Sequence, residues 1–110
     1  MKWDEVCRIA RELPSVEDSS YHGYPALRVN GKNLVRLGDD RASLEFKAFP
    51  TDERDMLLAS APDLYFLPER FHGAGIFVRL KGLDRKTLKH LLQRRWRVIA
   101  PKSLQRDESR

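Results

Sequence analysis

Ala26-Leu27-Arg28-Val29-Asn30-Gly31-Lys32-Asn33-Leu34-Val35-Arg36-Leu37 decides the architecture. Leu27 and Val29 alternate with Arg28, the two-residue period of a strand with one buried face. Asn30-Gly31 follows, a pair that accepts positive φ at both positions and so closes a type I′ hairpin. The chain then returns over 32–37, with Val35 and Leu37 inward and Arg36 outward. Strands joined this tightly are antiparallel.

Gly38-Asp39-Asp40 supplies the next turn. A third strand is expected over 43–49, with Leu44, Phe46 and Ala48 on one face and Glu45 and Lys47 on the other. Upstream, 15–20 is polar without a period and reads as a loop. Before it, Val6, Ile9, Ala10 and Leu13 recur at helical spacing over 3–13. Asp4 and Glu5 suit the positive end of that helix, and Pro14 stops it.

Downstream, Thr51 or Asp52 can cap a short helix whose apolar side is Met56, Leu57 and Leu58. A short strand is expected over 64–67, a loop over 69–75, and a strand over 76–81. In the last of these Ile76, Val78 and Leu80 point inward and Phe77, Arg79 and Lys81 outward. The final helix opens at Asp84, a good N-cap, with Leu83 and Leu88 spaced as a hydrophobic staple. Leu88, Leu91, Leu92, Trp96 and Ile99 form its buried stripe, and Pro101 ends it. Residues 103–110 hold few apolar groups, so a disordered tail is expected there, leaving one domain over 1–102.

The resulting order is α-β-β-β-α-β-β-α. Strands in meander groups point to an α+β fold, an antiparallel sheet with helices packed on one face. The opposite face carries Arg28, Arg36, Lys47, Phe77, Arg79 and Lys81, with Glu45 as the acid among them.

The 110 residues and their 41% apolar share fit one compact core. The single cysteine, Cys7, excludes an internal disulfide and fits a reducing compartment. An early acidic turn in sequence and the absence of a long apolar run lead us to expect a soluble, cytoplasmic, monomeric protein without a membrane partner. The net charge is +5 and is unevenly spread. Residues 1–75 carry 10 Lys and Arg against 13 Asp and Glu, whereas 76–102 carry 9 against Asp84 alone. Such asymmetry suggests an anionic partner or a solvated helix face.

Three stretches resemble one family. They are Tyr21-His22-Gly23-Tyr24-Pro25-Ala26-Leu27-Arg28-Val29-Asn30-Gly31-Lys32, then Ile76-Phe77-Val78-Arg79-Leu80, and Leu91-Leu92 with Arg95-Trp96-Arg97 and Ala100-Pro101-Lys102. Together they resemble the MmcQ/YjbR family over about residues 4–104. The resemblance implies a CyaY-like fold and a DNA-binding protein with a double-wing arrangement, with no assigned enzymatic activity. A distant fold relationship to the frataxins carries no metal function here, because Arg8 and Arg11 stand where an acidic ridge would be needed.

Read residue by residue, the chemistry is sparse. His22, His72 and His90 are far apart and lack metal-ligand spacing, although folding could bring His22 and His72 together. No nucleophile elbow occurs, so neither a catalytic residue nor a cofactor is expected. For DNA the candidate set is Arg28, Lys32, Arg36, Lys47, Arg79, Lys81 and Lys102 on phosphates, with Phe77 stacking on a base. Binding of this kind is mostly non-specific. The alternative is a non-catalytic module for a protein partner or a small anion, built on the loop aromatics Tyr21, Tyr24 and Phe71 beside His22. A basic strip continuous from sheet to last helix would favour DNA; charges on opposite sides would weaken that reading.

Overall fold

A computed structural model describes residues 1–108. The elements are α1 (Trp3–Ala10), β1 (Glu17–Tyr21), β2 (Tyr24–Val29), β3 (Lys32–Leu37), β4 (Ser43–Phe46), α2 (Thr51–Ser60), β5 (Tyr65–Phe66), β6 (Ile76–Arg79), α3 (Arg85–Ile99) and α4 (Lys102–Glu108). The strands form one antiparallel sheet in the order β1-β2-β3-β4-β6-β5. The α+β class expected from the pattern is the one observed.

Asn30 and Gly31 both take positive φ, +54° and +73°, as the hairpin reading requires. Beyond that turn the β2–β3 register slips. Leu27 faces Val35 but Arg28 faces Asn33, so Leu34 is the extra residue of a bulge. The bulge lets the consecutive Leu34 and Val35 both be fully buried in one core.

That core lies between the sheet and two helices. Val6, Ile9 and Ala10 of α1 and Leu88, Leu92 and Trp96 of α3 pack on Leu27, Val35, Leu44 and Val78. Trp96 is 1% exposed. Its Nε1–H donates to the Pro14 carbonyl at 3.0 Å, so burial of the ring leaves no orphaned donor and ties α3 to the end of α1. Asp84 accepts from the Thr87 backbone N–H at 2.7 Å, and Leu83 and Leu88 are both buried, as the cap and staple predict. Cys7 is buried on α1, and desolvation pushes its thiol pKa up, the inert state of a structural cysteine.

Five expectations need correction. The strand expected over 43–49 ends at Phe46, and Ala48, expected inward, is exposed at φ +54°. The polar stretch 15–20 is not wholly a loop, since β1 begins at Glu17 and pairs with β2 as the sheet edge. An edge strand can leave Glu17, Asp18 and Ser20 in solvent, so it shows no apolar alternation. At α2 neither Thr51 nor Asp52 caps; Pro50 holds the N-cap position with no side-chain bond. Met56 is 60% exposed, and Leu57 and Leu58 alone give α2 an apolar side. Lastly, 103–110 is not free of structure: α4 starts at Lys102, Leu104 packs against the core, and Gln105 donates to the Arg97 and Ala100 carbonyls. Residues 109–110 of that expected tail lie outside the described residues.

Three carboxylates are held by hydrogen bonds at the helices. Hydrogen bonding from Lys89 holds Glu12 below its ordinary pKa, Arg94 does the same for Glu53, and the Thr87 backbone for Asp84. Each group binds its proton less tightly folded than unfolded. Stability is therefore complete above the ordinary values of 4.5 and 3.8 and is lost as pH falls through the lower folded values. Thermal melts across a pH series should show a flat midpoint near neutrality and a shallow decline below about pH 4.5. In Glu12→Gln and Glu53→Gln chains the decline should be shallower still.

Candidate nucleic-acid interface and the opposite sheet face

The outward face of the sheet is closed over much of its centre. Register places Ala26 opposite Arg36, Arg36 opposite Glu45, and Glu45 opposite Phe77. Arg36 is 8% exposed and Glu45 is 6% exposed. Arg36 Nε donates to Glu45 Oε1 at 2.5 Å, and Nη1 donates to Asp39 at 2.8 Å and to the Leu37 carbonyl at 3.2 Å. Its guanidinium also lies 5.1 Å from the Tyr21 ring centroid and 5.7 Å from that of Phe77. Burial is the largest single influence on Arg36 and opposes its charge. The bonds to Glu45 and Asp39 together outweigh it, so the guanidinium pKa is raised.

Phe77 is 4% exposed. Phe71 meets it edge-on at 5.2 Å, and Phe66 lies tilted at 5.7 Å. Both close neighbours come from the 65–75 region, which turns back over the sheet beside β6. Gly75 allows that return, because a Cβ there would sit 2.8 Å from the Phe46 carbonyl oxygen.

The expectation that Arg36 and Phe77 face solvent is thus corrected: they lie on the outward face but are covered. The remaining candidates are more open and partly engaged. Arg28 lies across from Glu17 and donates to it at 3.4 Å. Lys47 Nζ sits 3.9 Å from the Tyr21 centroid. Arg79 lies 4.3 Å over Phe66 and donates weakly to the Pro62 and Asp63 carbonyls. Lys32, Lys81 and Lys102 are exposed at a hairpin tip, a turn and the start of α4. They are not gathered into one site.

A different cationic surface lies on α3. Lys86, His90, Gln93 and Arg97 recur at i, i+4, i+7 and i+11 and are all exposed, with Arg85 and Lys89 alongside. Arg85, Lys86, Lys89, His90 and Gln93 line a shallow concavity of about 730 Å³. Glu12 is the acid bonded there, accepting from Arg85 at 2.6 Å and Lys89 at 3.0 Å. Since the Leu88–Leu92–Trp96 stripe packs onto the sheet, this flank points away from it. The two basic surfaces lie on opposite sides of the molecule. Helical spacing of 86, 90, 93 and 97 was the signal that marks the α3 flank in sequence.

His22 and Gly23, at φ +49° and +84°, form the β1–β2 turn rather than an open loop, and His22 packs edge-on against Tyr21 at 4.3 Å. Among the described residues no three His, Cys, Asp or Glu gather so as to hold a metal ion. Nor is any described helix long and apolar enough to cross a membrane.

An antiparallel sheet with helices on one face, an ion-paired aromatic layer on the other and a basic helix flank defines a small α+β module. Residues 11–98 match the YjbR family model, and the chain belongs to the YjbR family. It is also similar to "Uncharacterized protein Rv2570" of Mycobacterium tuberculosis (strain ATCC 25618 / H37Rv), 26% identical over 117 residues that cover 93% of this chain and 91% of the relative. "Uncharacterized protein Mb2600" of Mycobacterium bovis (strain ATCC BAA-935 / AF2122/97) matches to the same extent.

Arg36 should accordingly act on stability more than on affinity. Arg36→Ala leaves Glu45 buried and unpaired, and chemical denaturation should show a loss of about 3 kcal/mol. Replacing both partners, as Arg36→Met with Glu45→Leu, should recover most of it. Equal losses in the single and double variants would contradict a buried-pair role.

Proposed function

We propose that this YjbR-family protein binds the phosphate backbone of DNA, mostly without sequence preference, through the exposed flank of α3. The observation that carries the reading is the charge inventory of the two faces. On the sheet face Arg36 is offset by Glu45 and Asp39, and Arg28 by Glu17. Along the α3 flank Arg85, Lys86 and Arg97 are exposed and Lys89 is half-buried, and among the described residues the ion pairs formed there are those of Glu12 with Arg85 and Lys89. Phosphate binding depends on cations that can release counterions from the duplex, and cations already neutralised by protein carboxylates contribute less. The reading involves no turnover. Relative to the expectation from sequence, it keeps the ligand and moves the surface.

The test is fluorescence anisotropy on a labelled duplex across a salt series. Affinity should fall steeply as salt rises, and Lys86→Ala with Arg97→Ala should reduce the slope of log K against log salt by about 2. Arg28→Ala with Lys81→Ala should leave that slope nearly unchanged. A flat, weak response in the parent protein would sink the reading and favour a protein partner or a small ligand.

A further inference from the structure

The outward sheet face holds a cavity of about 370 Å³ that backbone binding by α3 leaves without a role. That volume falls in the range of about 300–1,000 Å³ typical of small-molecule sites. Arg36, Ser43 and Phe77 are its buried lining; Phe66 and Phe71 are half-buried around them, and Asp39 and Glu69 are exposed.

The Arg36 side chain is nine-tenths buried, and the bonds that hold it use Nε and Nη1. Its Nη2 retains two N–H donors. A ligand reaching the cavity floor must therefore bring an acceptor, which disfavours an ammonium or guanidinium. An anion is disfavoured as well. The Arg36 charge is already offset by Glu45 and Asp39, and the exposed lining acids Asp39, Asp40 and Glu69 outnumber the exposed cation Arg70. The phenyl rings favour a flat partner. A neutral planar ring with an acceptor edge meets these demands, and N–H donors on a second edge would suit the lining carboxylates. Guanine has that edge pattern: its carbonyl and ring nitrogen accept from a guanidinium, and its amino edge donates to a carboxylate.

We propose that this cavity binds a neutral aminated heteroaromatic ring of the guanine type, with Arg36 Nη2 donating to the ring acceptors and Glu69 accepting from the amino edge. The site is independent of the α3 flank and lies on the opposite side of the molecule.

The experiment titrates the full chain with guanosine, which carries no phosphate, and follows amide ¹H–¹⁵N shifts. Saturable shifts are expected at 36–43 and 66–77. Inosine, which lacks the amino group, should bind about tenfold more weakly, the cost of one hydrogen bond to a charged group. Glu69→Gln, an exposed change that spares the core, should weaken guanosine and narrow its advantage over inosine, because an amide oxygen accepts more weakly than a carboxylate. Phe71→Ala should weaken both nucleosides, whereas Lys86→Ala with Arg97→Ala should weaken neither, which separates this proposal from the backbone-binding one. Absence of saturable shifts, equal binding of guanosine and inosine, or indifference to Glu69→Gln would overturn it.

Discussion

A guanidinium and a carboxylate stand side by side across β3 and β4, and both are almost removed from water. Such a pair gains little net stability over apolar side chains but is costly to break, so its surroundings must keep both partners matched. Here the matching is thorough. Glu45 and Asp39 meet Arg36 by hydrogen bonds, and its guanidinium lies over the rings of Tyr21 and Phe77. These contacts draw β1, β3, β4 and β6 together on the side of the sheet that has no helix. The outcome is a thin second layer in place of a solvated basic surface.

Much of the fold is legible in the sequence because its signals are local. Asn30-Gly31 specifies a turn through backbone conformation alone, and Asp84 with Leu83 and Leu88 marks a helix start within six residues. Alternation in β2 and β6, and in β3 from Val35 onward, assigns side chains to the right face; at Leu34 the bulge breaks it. What alternation cannot say is whether a face meets water. The cover over Arg36 and Phe77 comes from Tyr21, Phe66 and Phe71, distant in sequence and brought near by the strand order. For the same reason β1 escapes a reading based on apolar period: its role is to satisfy the edge of β2 with backbone bonds, and most of its side chains stay exposed. Leu104, a lone apolar residue in a polar stretch, is too weak a pattern to announce α4.

Topology also decides where surplus charge can act. With α1 and α3 on one side, the apolar stripe of α3 turns its cationic flank outward, away from the sheet. The positive C-terminal third thus divides into an open helix flank and a sheet component partly tied to carboxylates, carbonyls and aromatic rings. Fold membership in the YjbR family accounts for the scaffold. The division of charge between the two faces is what the functional reading rests on.

The most direct test is to map a duplex onto the protein by amide and guanidinium chemical-shift changes at low salt. The account predicts changes clustered at Arg85, Lys86, Lys89, His90, Gln93 and Arg97, with Arg36 Nε–H unmoved in its bond to Glu45. A cluster at Arg28, Lys32, Arg36, Arg79 and Lys81, with the α3 flank silent, would contradict it.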